Sequence, residues 1–317
     1  MPPSMHERAS PRLYLQLALV SAIWGGTFIA GRLLAGGVPP LLAASLRFGI
    51  ASLTLLAFLA ATRTPLARPS ARQALQLLLL GGFGIFGYNL CFFYGLQLVS
   101  AARASLIVAL NPAMIALASW LLLKEALPPL KLAGVALCLA GAGLVIVGKS
   151  GGALAGMHPW LGDLLILGCV GSWVVYSVAS RGLSRSLGPL QTVTWSILLG
   201  TAMLCAATWI LGAADLAAIA RLRPAQWASL LYLGALGSAL AYIWYYDGIQ
   251  KIGPTRSGAF IALNPLTAVL LGAALLGERL TPGMMMGGAL AILGIVLCNL
   301  AIGPSWSKLA PLGSRQA

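Results

Sequence analysis

Apolar residues recur along this chain in runs of about twenty, separated by charged residues or by Pro and Gly. Ten such runs are legible, with approximate cores at 13–34, 40–61, 74–98, 102–123, 130–148, 160–180, 188–211, 225–250, 255–276 and 282–302. A helix of ~20 residues crosses the ~30 Å hydrocarbon layer of a bilayer. The pattern therefore predicts an all-α integral membrane protein with ten transmembrane helices. Loops are short, and the polar tails reduce to residues 1–11 and 303–317.

Composition sharpens this reading. Of 317 residues, 59% are apolar and 8% charged, whereas soluble chains carry about 25% charged residues. That difference excludes a soluble globular protein. The formal charge of +14 would suggest nucleic-acid binding in a soluble chain. Here the cations stand singly or in small groups between apolar runs, with no basic stretch interleaved with aromatics, so no nucleic-acid partner is expected. They report orientation instead. With both termini cytoplasmic, thirteen Lys and Arg fall in inside segments and six outside, and Arg47 is left within the second span.

The five cysteines each lie inside an apolar run without a CxxC pair, and the two histidines, His6 and His158, stand far apart outside the spans. This spacing predicts buried free thiols and neither metal nor cofactor. Arg8 and Arg12 before the first run raise the question of a signal peptide. The run is longer than a signal h-region, and its removal would spoil the repeat, so a retained first helix is expected.

That repeat needs no gaps. A shift of 153 residues lays Gly95-Leu96-Gln97 on Gly248-Ile249-Gln250, Arg103 on Arg256, and Ala109-Leu110-Asn111-Pro112 on Ala262-Leu263-Asn264-Pro265. Glu125 then meets Glu278, Pro129 meets Pro282, Gly134 meets Gly287, and Gly141 meets Gly294. At a shift of 149, Trp24 meets Trp173, Arg32 meets Arg181 and Pro40 meets Pro189. The expected organisation is two five-helix repeats, 12–149 and 150–302. Five spans per repeat is an odd number, so the second enters the membrane from the opposite side, an arrangement found in secondary transporters with midplane sites.

These features resemble the ten-helix branch of the drug/metabolite transporter superfamily, the EamA-type permeases. The resemblance covers roughly residues 13–302. It is carried by Ile23-Trp24-Gly25-Gly26-Thr27-Phe28, Leu46-Arg47-Phe48, the paired Ala-Leu-Asn-Pro strings, and Glu125 and Glu278 followed by Gly134 and Gly287. The aromatic third and eighth helices look most like the family's aromatic amino-acid exporters. The resemblance implies export of small metabolites, aromatic and other apolar amino acids first, and the expected setting is a bacterial inner membrane, with no cofactor and with the oligomeric state, a monomer included, left open.

One enzyme-like string fails on context. Gly143 to Ser150 satisfies GxxxxGK[ST], but a P-loop needs a glycine-rich turn after a strand. Here the variable positions are apolar and end a membrane span, so Lys149 reads as an interfacial anchor.

Asn111-Pro112 and Asn264-Pro265 fall mid-span. Proline removes a backbone donor and disturbs the carbonyl one turn back, so each pair serves either as a hinge with Asn tying down the freed carbonyl, or as a polar contact for substrate. Trp24, Thr27 and Gly31 share a helical face, as do Trp173, Tyr176, Ser177 and Ser180. With Tyr88, Asn89, Tyr242 and Tyr246 these faces predict a cavity lining. Arg47 holds either a substrate carboxylate or, as its closeness to a span end favours, backbone carbonyls or the interface. Asp247 and Lys251 have the spacing of an i,i+4 pair. The Gly- and Leu-rich fifth and tenth helices read as peripheral, lipid-facing or helix-packing elements. No carboxylate falls at mid-depth, which favours facilitated transport, with a proton-coupled drug or metabolite exporter as the alternative. A channel or membrane enzyme is more distant, because neither a ring of charge nor an acid–His cluster is present.

Overall fold

The computed structural model describes residues 11–35, 37–123, 128–147, 159–252, 260 and 263–300. The tails, both histidines, Glu125, Arg256 and residues 148–150 of the P-loop-like string lie outside the described residues. Regular structure within them is helical: α1 (Pro11–Ala35), α2 (Pro40–Ala61), α3 (Ala71–Leu98), α4 (Ala101–Val108), α5 (Asn111–Leu123), α6 (Pro129–Val147), α7 (Pro159–Ser186), α8 (Pro189–Ile210), the short α9 (Leu216–Ala220), α10 (224–252), α11 (Asn264–Leu276) and α12 (Pro282–Leu300). Seven of them begin at a proline, which lacks the N–H that a first helical turn would leave unpaired.

Taking α4 and α5 as one stretch, eight helices are long and apolar enough to cross a membrane, and α11 and α12 are apolar but shorter. Large apolar side chains face outward, with Leu53 69%, Leu122 71% and Trp209 79% exposed. Such a surface suits lipid rather than water. The protein is an all-α integral membrane protein.

Two spans are not single helices. Between α4 and α5 the chain turns at Ala109-Leu110, where Leu110 N–H bonds Ile107 O at 3.0 Å and Met114 N–H bonds Leu110 O at 2.9 Å. Ahead of α11, Leu263 N–H bonds Phe260 O at 3.0 Å and Thr267 N–H bonds Leu263 O at 3.0 Å. Each tight turn directly precedes an Asn-Pro, where the missing proline donor ends the regular ladder. Both α3 and α10 are also interrupted, by π-helical segments at Gly81–Gly87 and Tyr232–Leu240.

The core joins α1, α2, α3, α4, α7, α8, α10 and α11 around Phe28, Phe48, Ile85, Phe92, Leu96 and Ile197, with Val145 of α6 and Met284 of α12 at its margin. Those last two helices pack antiparallel on a glycine seam. A Cβ on Gly134 would lie 2.6 Å from Gly294 O, and one on Gly141 would lie 2.5 Å from Gly287 O. No side chain fits there, so the two backbones touch, as small residues permit in membranes.

Near one end of the bundle, three polar links cross between distant parts of the chain. The Glu278 carboxylate accepts the N–H groups of Ala101 and Ala102 at 2.8 and 2.9 Å, where a helix start welcomes negative charge. Arg103 forks onto both oxygens of Asp163 at 2.7 Å and also donates to Ile146 O at 2.6 Å. Arg32 donates to Leu96 O. Asp163 is near the start of its helix, as the sequence places it, yet it is only 4% exposed. The fork of two parallel bonds satisfies a pair that would be costly to bury half-made.

Candidate functional site

At the centre of the core lies a cavity of about 110 Å³, several times the ~10–15 Å³ that one water needs. Its wall is built from α1, α2, α3, α4, α5, α7, α10, α11 and α12. Trp24, Thr27, Tyr88, Asn111, Pro112, Trp173, Tyr242, Asn264 and Pro265, all singled out from sequence, lie on it together. Phe28, Arg47, Ser105, Val108, Ala109, Ile115, Gly237 and Ile295 complete it.

The α1 wall is fixed by close packing. Gly25 lets α1 approach α11, since a Cβ there would lie 2.8 Å from Asn264 O. Gly26 gives way to Tyr232, whose hydroxyl donates to Ile23 O at 2.8 Å. Trp24 Nε1 donates to Gly237 O at 3.0 Å, a carbonyl within the π-helical segment of α10. Around it the aromatic rings interlock: Trp24 meets Tyr242 edge-on at 5.7 Å, Trp173 meets Tyr242 at 6.3 Å, and Tyr88 meets Trp173 at 5.8 Å. Each lies within the 4.5–7 Å typical of favourable aromatic pairs.

The polar groups are few. Asn111 is 8% exposed, and its carboxamide oxygen, like that of Asn264, has no hydrogen-bond partner among the described residues. The sequence left open whether these amides tie down the carbonyls freed by proline; no such bond is present among the described residues. An unpartnered buried acceptor costs roughly 1–3 kcal/mol, so both oxygens are ready for a donor brought by a ligand.

Arg47 departs from expectation. It is 7% exposed and stands on the cavity wall, and among the described residues it bonds side chains rather than backbone carbonyls. Its Nε donates to Ser238 Oγ at 3.2 Å and its Nη1 to Asn89 Oδ1 at 3.0 Å. The guanidinium lies over Phe48 and Phe92 at 5.0 and 5.7 Å, in reach of their ring quadrupoles. The physical reason is that two neutral acceptors and two rings hold it inward, seven residues down α2. Only the repeat alignment could have hinted at this, by pairing Arg47 with the interior Ser196.

Three sequence candidates stand behind the wall rather than on it. Asn89 is 1% exposed, bound to Arg47 and donating its Nδ2 to Ile85 O at 2.7 Å. Tyr176 stacks on Trp173 at 5.3 Å and shares a 3.1 Å hydrogen bond with Ser196. Ser177 is half-buried, and its carbonyl accepts the Ser180 hydroxyl at 3.2 Å. The side chains of Tyr246 and Lys251 lie outside the described residues, and with them the expected Asp247–Lys251 pair. Among the described residues no group of three or more His, Cys, Asp or Glu could hold a metal ion.

Comparison with known proteins places these features in a wider group. The profile of the EamA-like transporter family matches residues 12–147 and again residues 160–300. The chain is 27% identical over 287 residues to an uncharacterized transporter of Bacillus subtilis, YyaM, covering 90% of this chain and 93% of that one. It is 29% identical over 304 residues to the uncharacterized inner membrane transporter YedA of Escherichia coli, covering 95% of each. A probable terminal-alkyne amino-acid exporter of Streptantibioticus cattleyicolor is 28% identical over 283 residues, covering 89% of this chain and 92% of that one. Among solved structures, one crystal structure superposes with a TM-score of 0.67 at 24% identity, over 92% of this chain and 99% of the other, a likeness of fold.

Proposed function

We propose that this chain, which belongs to the EamA-like transporter family and is a multi-pass secondary transporter of small metabolites, exports amino acids, aromatic and other apolar ones, by alternating access between two inverted five-helix halves of a bacterial inner membrane. The observation that carries the cargo is the central cavity, lined by five aromatic residues together with Asn111 and Asn264, whose carboxamide oxygens have no hydrogen-bond partner among the described residues. That mixture suits a zwitterion with an apolar side chain. The named relative from Streptantibioticus cattleyicolor supports an amino-acid cargo.

The inverted ten-helix arrangement draws support from contacts between repeat-related positions. Gly134 and Gly141 correspond to Gly287 and Gly294, and the seam pairs Gly134 with Gly294 and Gly141 with Gly287. Ser52 bonds Thr201, its own counterpart at a shift of 149, at 2.9 Å. A reciprocal pattern of i with j and j with i is the mark of two-fold symmetry. Since the paired numbers run oppositely, the axis lies across the helices, in the plane of the membrane. Both termini are then cytoplasmic, as the charge bias favours. The halves rock about the α4/α5 turn and the turn before α11.

With no carboxylate among the described residues of the cavity wall, the mode that fits is facilitated transport. Uptake of labelled phenylalanine into liposomes containing the purified protein tests the reading. Saturable uptake without a pH gradient, lost in both Trp24→Ala and Trp173→Ala, is the expected result. Uptake unchanged in both variants sinks the cavity assignment, and accumulation driven by an imposed pH gradient replaces facilitated transport with proton coupling.

A further inference from the structure

Among the described residues, Arg47 is the one charged residue on the cavity wall. Of its five N–H groups, one bonds Ser238 and one bonds Asn89, both neutral. Among the described residues it has no carboxylate within ion-pair reach. A cation held inside a membrane protein is ordinarily paired or functional, and a lone one carries a large desolvation cost. The missing partner is therefore an anionic group that comes and goes. The same cavity holds the opposite requirement at Asn111 and Asn264, whose carboxamide oxygens are acceptors without donors among the described residues. They are neutral, so they attract an ammonium group without cancelling the charge of Arg47, and the site keeps a net positive character.

We propose that Arg47 is the carboxylate anchor of this transporter and the residue that makes it select anions and zwitterions over cations. Its free N–H groups receive the carboxylate, Asn111 and Asn264 accept the ammonium hydrogens, and the rings of Trp24, Trp173, Tyr88 and Tyr242 enclose the side chain. Asn89 and Ser238 act as positioning residues, since they hold the guanidinium and stand clear of the wall. The inference rests on the amino-acid reading for its zwitterion, but the need for a carboxylate can be tested apart from it.

The experiment is competition against transport in liposomes containing the full chain, with four probes of one shape: phenylalanine, 3-phenylpropionate, phenylalaninamide and phenethylamine. In the wild type, the two carboxylates are expected to compete, and the amide and the amine to be at least about 100-fold weaker, the scale of losing a charged hydrogen-bond pair. Arg47→Gln is expected to weaken phenylalanine about 100-fold and to erase the preference for it over its amide. Arg47→Lys keeps the preference and loses about 10-fold, a lysine being a point charge without the fork. Phenylalaninamide competing as well as phenylalanine in the wild type overturns the proposal, and that measurement needs no variant to fold. Arg47→Gln transporting phenylalanine as the wild type does overturns it too. If 3-phenylpropionate competes in an Arg47-dependent way but phenylalanine does not, the amino-acid reading fails and the anchor stands. If only the amine competes, both fall.

Discussion

The two walls of the cavity occupy equivalent positions of the duplicated sequence and do different chemistry. Trp24 and Trp173 correspond, as do Asn111 and Asn264, and all four line the cavity. Between them the pairs diverge. Where the first half has Thr27 and Arg47, the second has Tyr176 and Ser196. Where the second has Ser238 and Tyr242, the first has Ile85 and Asn89. On one wall Thr27 packs its methyl on Gly237 while Arg47 reaches Ser238 and Asn89. On the other, Tyr176 lies against Gly84 and closes its hydroxyl onto Ser196. The backbone frame is thus repeated, whereas one wall carries a cation and its counterpart is sealed by an aromatic ring. On the proposed mechanism the repeated frame would serve a rocking motion and the unlike walls would serve recognition, because a ligand with two unlike ends needs two unlike walls.

The comparison can be broken most forcefully at its charged position. Arg47→Ala should cut transport at sub-saturating substrate by about 100-fold, whereas Ser196→Ala at the matched position should stay within about two-fold, since the first loses a charged bond to cargo and the second a neutral one remote from it. Equal losses in initial uptake rates would mean that the second wall also binds. The glycine seam comes next. Gly141→Val should lower stability by about 1–3 kcal/mol through overpacking, because its Cβ would lie 2.5 Å from Gly287 O. Gly143→Ala, two residues on and with nothing within 4 Å of its new Cβ, should leave the melting temperature in detergent unchanged. At the paired tryptophans, Trp24→Phe forfeits the bond to Gly237 O and should raise KM roughly five-fold, about 1 kcal/mol. Trp173→Phe, where the native indole N–H has no hydrogen bond among the described residues and the ring packs on other aromatics, should raise it less. Smallest of all, Tyr176→Phe should cost about 1 kcal/mol of stability with no change in substrate preference, measured by thermal unfolding beside the competition assay.

Much of the frame was legible from residue pattern. Apolar runs bounded by charges, Pro and Gly located the spans, and the paired Asn-Pro strings, read as hinge or substrate contact, fall just after the two turns, because a missing backbone donor acts locally. The cavity's rings were legible as well, since Trp24 and Trp173 match across the repeat. Arg47 was not, because its setting is made by α3 and α10: the partners are 42 and 191 residues away in sequence. Asp163 and Glu278 were hidden for the same reason, their partners being supplied by α4 across the bundle. Helical periodicity also placed Tyr176 and Ser177 on the cavity face, but a straight α-helix cannot report that Gly84 of a neighbouring helix opens a slot for the tyrosine ring. Local rules reveal where a helix begins and which stripe is interior; which interior groups face empty space depends on partners from elsewhere.

The π-helical segment at Tyr232–Leu240 has a consequence for register. A π turn accommodates more residues than an α turn, so it acts as an angular offset between Pro224–Leu231 and Ala241–Ile252. Each residue of an α-helix subtends about 100°. Restoring α geometry with every residue retained would turn the following stretch by about that angle, carrying Tyr242 off the wall while leaving sequence and hydropathy unaltered. The aim of that ring is thus set by how the backbone winds ahead of it.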